Sequence, residues 1–208
     1  MVSNTKKEGK NMSFTDLIQK RRSRYELAAQ IPISEEDLEK ILEKCVKYAP
    51  SAFNSQSSRV VLLLSFAHKL LWDLTLEALR PLVPSDHFKP TYEKIKSFAK
   101  AYGTILYYED QNRVEELKNQ FPLYKERFSV WSEHASAMLQ FSVWTALAEA
   151  GIGASLQHYN PVIDEEVAIA FHIPKSWKLI AQMPFGKSVG EDLEKTFLPL
   201  SVRLRIEK

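Results

Sequence analysis

The chain has 208 residues, of which 45% are hydrophobic and 26% are charged, with 28 lysines and arginines against 26 acidic residues. These ordinary globular values exclude disordered and fibrous classes, and the near-balanced charge gives no electrostatic reason to expect nucleic acid as a partner. No apolar run reaches the roughly 18 residues that a membrane span needs. The single cysteine, Cys45, rules out a disulfide within the chain and favours a reducing, cytoplasmic environment.

The length suits one domain with a sizeable core. Residues 1–11 are polar and contain lysines but no apolar stretch, so we expect a flexible N-terminal extension rather than a secretory signal or a membrane anchor. Residues 12–208 are predicted to form a single domain.

The first half of the chain is predicted to mix helices with short buried strands. Ser13 and Ser34 each precede an aspartate by three residues, as in a capping box, so each is predicted to begin a helix. The later elements follow from apolar periodicity or from short continuous apolar runs. They are a strand at 60–64, a helix at 67–79, a loop at 85–89, a helix at 92–101, a strand at 104–108 and a short helix at 111–120.

The longest predicted element is a helix over about 123–150, which Gly151 ends. A wide apolar stripe along it predicts a central helix that is buried on more than one side, with His134 as a core residue. The stripe consists of Val130, Trp131, His134, Met138, Phe141, Trp144 and Ala148.

The last third is predicted to contain a strand at 154–158, a helix at 164–171 and a strand at 177–182. At the end of the chain, apolar residues alternate with arginines over 202–206, which predicts a strand with Arg203 and Arg205 on one face. The whole pattern predicts one α+β domain in which a few strands pack among many helices.

The sequence offers no convincing catalytic side chain of its own. Its five histidines form neither an H-x-x-x-H pair nor a cluster with cysteine, so no metal site is predicted. Gly151 and Gly153 begin a G-x-G, but the third glycine of a dinucleotide fingerprint is missing and the pair follows a helix instead of a strand.

Three polar segments interrupt the hydrophobic pattern. The segment 21–24, Arg-Arg-Ser-Arg, suits a phosphate because guanidinium groups match its oxygens, although a solvated turn is the more common use of such a segment. The segment 50–58 is rich in amides and hydroxyls that suit the edges of a planar heterocycle, but by composition alone a helix-capping loop is favoured. The segment 157–161 lies beside a glycine-led strand, and its residues are equally typical of a ligand wall and of a turn.

Taken together, these segments resemble the nitroreductase family. The resemblance begins with Arg21-Arg22-Ser23 and continues with Ala49-Pro50-Ser51, followed by Asn54 and Gln56. The order of a long central helix, a glycine-led strand, a Pro-Phe-Gly turn at 184–186 and a basic closing strand is also similar, so that the resemblance covers nearly the whole chain. The longer motifs resemble the subgroup of fungal fatty-acid-repression proteins and their bacterial relatives.

The resemblance implies an α+β fold with a central mixed or antiparallel sheet of about four to five strands, flanked by helices, and with the long helix at the interface of a homodimer. It implies that FMN carries hydride from NADH or NADPH to a small acceptor such as a nitroaromatic or a quinone, so that no side chain acts as catalyst. A flavin-binding regulatory or lipid-signalling protein with little turnover is the alternative.

The resemblance also implies which residues bind FMN. They fall into a group at the phosphate and ribityl chain, a group that reaches the ring from the partner subunit, and a group near the ring edge. These are Arg21, Arg22 and Ser23 with Arg203 and Arg205; Pro50, Ser51, Asn54 and Gln56; and Gln157, His158, Pro184, Phe185 and Gly186.

Three positions depart from the family pattern. Many members have a basic residue where Tyr25 stands, and many have a proline and an aromatic residue where this chain has Ser57 and Ser58. These changes fit the subgroup, but they leave the phosphate contacts and the preferred acceptor open.

Overall fold

The computed structural model describes residues 12–191 and 194–208. Over these residues the chain forms seven α-helices and five β-strands. The helices are α1 (Phe14–Lys20), α2 (Glu35–Tyr48), α3 (Ser65–Leu79), α4 (Phe88–Phe98), α5 (Gln111–Gln120), α6 (Phe128–Glu149) and α7 (Asp164–Ala170). The strands are β1 (Leu27–Ala28), β2 (Ser58–Leu64), β3 (Gly103–Asp110), β4 (Gly153–Ala154) and β5 (Trp177–Ser188). The predicted extension at 1–11 lies outside the described residues.

The strands form one antiparallel sheet in the order β1-β5-β3-β2, with β4 also paired to β5. Strand β3 lies in the middle, and β2 forms an edge that no other strand of the described ranges covers. The predicted α+β architecture with an antiparallel sheet of about five strands is therefore confirmed. The two-residue strand β1 was not predicted.

Helices cover both faces of the sheet. Because successive strand residues point to opposite faces, Ile105 packs against α2 and α6 on one side, while Leu106 packs against α3 and α4 on the other. On the helical side of these contacts, Leu139 of α6 lies in the first core and Trp72 of α3 lies in the second. Each fully buried side chain of this size contributes about 1.5–3 kcal/mol through removal of apolar surface from water.

Both predicted capping boxes start helices. Ser13 Oγ accepts a hydrogen bond from the Asp16 amide at 3.2 Å, and Ser34 Oγ accepts one from Asp37 at 3.1 Å. Helix α2 buries Leu38 and Leu42, and Cys45 lies partly buried beside them. Burial raises the pKa of the Cys45 thiol, which agrees with a packing role instead of a reactive one.

The buried face of α6 differs from the predicted stripe. The residues inside the core follow one another at four-residue spacing, as Ala135, Leu139, Val143 and Leu147 do, whereas His134 is exposed. The prediction that His134 is a core residue is therefore wrong. Apolar residues occur on nearly every side of this helix, so the stripe did not identify which side faces the sheet.

Several element boundaries also differ from the prediction. Helix α6 begins at Phe128, because residues 122–127 form a 3₁₀ turn, and α4 begins at Phe88 within the predicted loop. Pro90 lies in the first turn of α4, where its missing N–H removes no intrahelical hydrogen bond. Residues 200–202 form a 3₁₀ turn, so the strand predicted over 202–206 is wrong for the single chain: alternation cannot form a strand without a neighbouring strand to pair with.

Candidate functional site

Two of the three polar segments meet at one end of the sheet. Ser23 forms a parallel bridge with Ala154, and the Arg24 amide donates a hydrogen bond to the Ala154 carbonyl at 2.9 Å. A Cβ on Gly153 would lie 3.2 Å from the Arg24 side chain, so glycine permits this close approach. We call residues 21–24 together with 153–154 the arginine corner.

The arginine corner contains a guanidinium group with unused hydrogen-bonding capacity. Arg21 lies over the Trp144 ring at 4.4 Å from its centroid, and both Arg21 Nε and Trp144 Nε1 are buried without a hydrogen-bond partner among residues 12–191 and 194–208. Burial, followed by the nearby charge of Arg22, lowers the pKa of Arg21. Since a buried donor without a partner is costly, this arrangement favours an anion that would accept its hydrogen bond.

Two cavities open beside the arginine corner. One, of about 310 Å³, is lined by residues that include Lys20, Arg22 and Trp144 together with 151–153. The other, of about 200 Å³, lies between residues 21–23, Tyr25, Glu194 and Lys195. Glu194 and Lys195 therefore bring opposite charges to the cavity beside Tyr25, the residue that replaces the basic one of the family pattern. No sequence motif pointed to Lys195.

The third polar segment acts mainly through its backbone. Gln157 and Gln182 exchange two backbone hydrogen bonds, at 2.7 and 2.9 Å, and the buried Gln157 side-chain amide donates to Ser155 Oγ at 3.0 Å. His158 is exposed. Only a short strand, β4, and this bridge replace the longer strand predicted at 154–158.

Pro184, Phe185 and Gly186 do not form the predicted turn. They continue β5, where Phe185 pairs with Ala154 and its side chain is fully buried. A Cβ on Gly186 would lie 2.4 Å from the Ala28 carbonyl oxygen, so this glycine serves the close approach of β1. The pairing does carry the backbone of these residues to the arginine corner.

The segment 50–58, which we call the amide loop, has an unusual backbone. Phe53, Asn54 and Gln56 have φ values of 56°, 51° and 50°, in the left-handed region that favours glycine. Asn54 and Gln56 are exposed, while Ser51 Oγ accepts a hydrogen bond from the Gln56 amide at 3.1 Å. The loop, including Pro50, lines a cavity of about 380 Å³, whose walls are also formed by Arg59, Ala135 and Trp177.

An aromatic cluster holds the outer side of the amide loop. The Phe53 ring stacks on Trp131 at a centroid distance of 5.8 Å and packs against Phe121, Tyr124 and Phe128 at 4.8–5.6 Å. Aromatic pairs at these distances are each worth about 0.5–1.5 kcal/mol beyond burial of their area. The cluster connects the loop to the N-terminal part of α6.

Helix α6 separates the amide loop from the arginine corner within one chain. The loop's cavity reaches α6 at Ala135 and Leu139, whereas the corner's cavity reaches it at Trp144 and Ala148. At 1.5 Å per residue, the two pairs are centred about 14 Å apart along the helix axis. Arg203 and Arg205 are exposed in residues 194–208, which we call the C-terminal arm. The chain therefore assembles one part of the predicted site and leaves the other parts apart.

Comparison with known proteins identifies the class of this protein. The chain belongs to the Nitroreductase family, whose family model matches residues 18–187. It is accordingly a flavin-dependent oxidoreductase of the nitroreductase type.

Individual relatives from bacteria and yeast are similar over most of their length. The structure of nitroreductase CinD from Lactococcus lactis, in complex with chloramphenicol, has a TM-score of 0.87 and 40% identity, covering 94% of this chain and 100% of that one. Among Saccharomyces cerevisiae proteins, the putative nitroreductase HBN1 is 33% identical, covering 88% of this chain and 92% of its own, and the nitroreductase FRM2 is 30% identical, covering 89% and 93%. The match to FRM2 confirms the resemblance to the fatty-acid-repression subgroup.

The described residues contain neither a metal site nor a membrane-spanning helix. Across residues 12–191 and 194–208, no group of three or more His, Cys, Asp or Glu side chains is arranged to hold a metal ion. Among the helices of the same ranges, none is both long and apolar enough to cross a membrane.

Proposed function

We propose that this protein binds FMN at the arginine corner of a homodimer and passes hydride from NADH or NADPH to a small acceptor such as a nitroaromatic or a quinone. The observation that carries the proposal is the partly buried Arg21 side chain, which lies beside Arg22 and next to the Ser23–Ala154 bridge and whose buried Nε has no hydrogen-bond partner among the described residues. Such a group fits the phosphate of FMN in charge and in hydrogen-bonding geometry.

The phosphate would be held by Arg21, Arg22 and Ser23. Charge-assisted hydrogen bonds from guanidinium to phosphate are roughly twice as strong as neutral ones. Lys195 at the neighbouring cavity supports the same assignment. Arg203 and Arg205 of the C-terminal arm would add charge to the phosphate once the arm is fixed by a second copy of the chain.

The binding site for the FMN ring would be completed by the amide loop of the partner subunit. In that loop, Pro50, Ser51, Asn54 and Gln56 would lie against the ring. A twofold axis makes two copies of α6 antiparallel, so the N-terminal half of one helix lies beside the C-terminal half of the other. An axis near Phe141 would bring the loop of one chain to the corner of its partner.

Exposed apolar side chains support this dimer. On α6, Val130, Met138 and Phe141 are 41%, 39% and 37% exposed. The C-terminal arm exposes six large apolar residues, which a monomer would leave in water. They are Phe197, Leu198, Leu200, Val202, Leu204 and Ile206.

Bound FMN would supply the hydride chemistry, and the chain's own residues would bind and orient it. Gln157, His158 and residues 184–186 would border the ring from the side of β4 and β5. The complex of CinD with 4-nitrophenol supports a nitroaromatic acceptor. The single cysteine, Cys45, supports a reducing compartment such as the cytoplasm.

Mixed dimers test the shared site. One chain carries Arg21→Ala, its partner carries Asn54→Ala with Gln56→Ala, and two affinity tags isolate the mixed species. Each variant homodimer should bind FMN weakly, whereas the mixed dimer should recover one tight site, because one of its two sites combines an intact corner with an intact loop. Weak binding at both sites of the mixed dimer would contradict the proposal.

Turnover requires a second measurement. In a stopped-flow instrument, NADH or NADPH should bleach the absorbance of bound FMN, and 4-nitrophenol or a quinone should restore it. Bleaching faster than steady-state turnover supports the enzyme. Bleaching by neither nicotinamide would instead favour the regulatory role.

A further inference from the structure

A buried carboxylate lies beneath the amide loop. Glu109, near the end of β3, is only 1% exposed, and it accepts hydrogen bonds from Ser57 Oγ at 2.6 Å and Ser58 Oγ at 2.5 Å. Ser57 is itself fully buried. Burial raises the pKa of Glu109, while the two serine hydroxyls and then the charge of Arg59 act in the opposite direction.

Two arginines hold the neighbouring carbonyl groups of the same loop. Arg59 Nη1 donates to the Gln56 carbonyl at 2.7 Å, and Arg113 Nε donates to the Ser55 carbonyl at 3.0 Å. Arg59 is fixed in turn by an ion pair with Asp110 at 3.0 Å. The end of β3 and the start of α5 thus hold the loop at its C-terminal side.

The loop needs such restraint because its backbone is strained. Left-handed φ values at Phe53, Asn54 and Gln56 cost on the order of 1 kcal/mol each for residues other than glycine, and they persist only where the surroundings impose them. Phe53 is held by the aromatic cluster. Gln56 has no such cluster. It is held by the Ser51 hydroxyl, which accepts a hydrogen bond from its amide, by the arginine contact to its carbonyl, and by the following serines bound to Glu109.

We infer that Glu109 is a positioning residue, which fixes Ser57 and Ser58 and thereby the shape in which the amide loop presents Asn54 and Gln56 to FMN. This inference rests on the proposed function. It also accounts for the two serines that replace the proline and aromatic residue of the family pattern, because their hydroxyls are the partners that the buried carboxylate requires.

The test compares Glu109→Gln and Ser57→Ala with a matched control, Thr75→Val. Glutamine keeps the volume of Glu109 but offers one acceptor oxygen to two hydroxyls. Ser57→Ala keeps the carboxylate and removes one tether, so it serves if the first variant folds poorly. Thr75 is also fully buried, and its hydroxyl bonds only to the Leu71 carbonyl of its own helix, α3.

Hydrogen exchange in the FMN-free protein and FMN titration by fluorescence quenching are then measured for each variant. Both loop variants should exchange the amides of residues 52–57 at least tenfold faster than wild type, with β3 amides unchanged, and should bind FMN about tenfold more weakly. The absorbance bands of their bound FMN should shift, whereas Thr75→Val should match wild type within twofold in every readout.

The outcomes separate the two claims. If wild type binds FMN while both loop variants match Thr75→Val, the role of Glu109 is wrong and the proposed function stands. If wild type binds no FMN, the proposed function fails, and the inference fails with it.

Discussion

The arginine corner and the amide loop differ in how much of their structure a single chain completes. The corner is closed by backbone pairing between residue 23 and residue 154, and its charges converge within one protomer. The amide loop is held in a strained shape, yet its amide side chains at 54 and 56 stay exposed. Under the proposed function, the phosphate site would be built within one chain, whereas recognition of the ring would be left to a second subunit.

The largest expected effect tests the role of the corner as a phosphate site. Arg21→Ala should weaken FMN binding about a thousandfold, or about 4 kcal/mol, because it removes charge-assisted hydrogen bonds to a phosphate. The measurement is FMN titration of the FMN-free protein. Arg80→Ala is the control, because Arg80 is exposed and its contacts, an ion pair with Glu77 of α3 and the face of Phe88, lie away from the corner. Equal affinities for the two variants would refute the phosphate assignment.

Acid conditions should weaken the fold at a third place, the contact between α3 and β3. His68 is buried, its Nδ1 lies 2.8 Å from Thr104 Oγ1, and burial lowers its pKa from 6.5 to about 4. Between these values the unfolded chain binds a proton that the folded one does not. The free energy of unfolding should therefore fall by about 3 kcal/mol as the pH drops from 6.5 to 4.

Urea unfolding across this pH range measures the effect, with His68→Asn as the comparison. Asparagine can keep a hydrogen bond to Thr104 but does not titrate. The free energy of unfolding of the variant should therefore fall by about 3 kcal/mol less than that of wild type over the same pH range. Parallel pH profiles for the two proteins would show that His68 does not carry the acid sensitivity. FMN affinities of the corner and loop variants are best compared above pH 7, where this effect is absent.

Local patterns in the sequence predicted elements correctly. Features that depend on residues distant in the sequence, or on a second chain, were not predicted. Capping boxes and apolar runs located α1, α2, β2 and β3, because these signals lie within a few residues. Pro184 and Gly186 resembled a turn, although Gly186 serves the approach of β1, which is far away in sequence. None of the seven stripe residues on α6 is fully buried: three are half-buried and four are exposed, because apolar residues on nearly every side of a helix do not identify which side faces the sheet.

Arg203→Ala should have a smaller effect than Arg21→Ala. We expect about a tenfold loss of FMN affinity, or about 1.4 kcal/mol. The C-terminal arm is exposed, so this charge acts through solvent and salt should reduce its contribution. FMN titrations at low and high salt should show the difference between Arg203→Ala and wild type shrinking as salt rises. The loss for Arg21→Ala should persist, because Arg21 is partly buried.

The smallest expected effect concerns Trp144, which lies beneath Arg21 in the corner. Trp144→Phe keeps an aromatic face for the guanidinium but removes the indole N–H and part of the ring surface, so FMN affinity should fall about threefold at most. Trp144→Ala removes the face as well and should cost about tenfold, since a cation–π contact of this kind is worth about 1–2 kcal/mol when partly desolvated. FMN titration of both variants decides between two roles for the indole. A larger loss for Trp144→Phe than threefold would favour a hydrogen bond to the bound cofactor from the buried Nε1, which has no partner among the described residues. In that case the corner would recognise more of FMN than its phosphate, and the contrast with the amide loop would narrow.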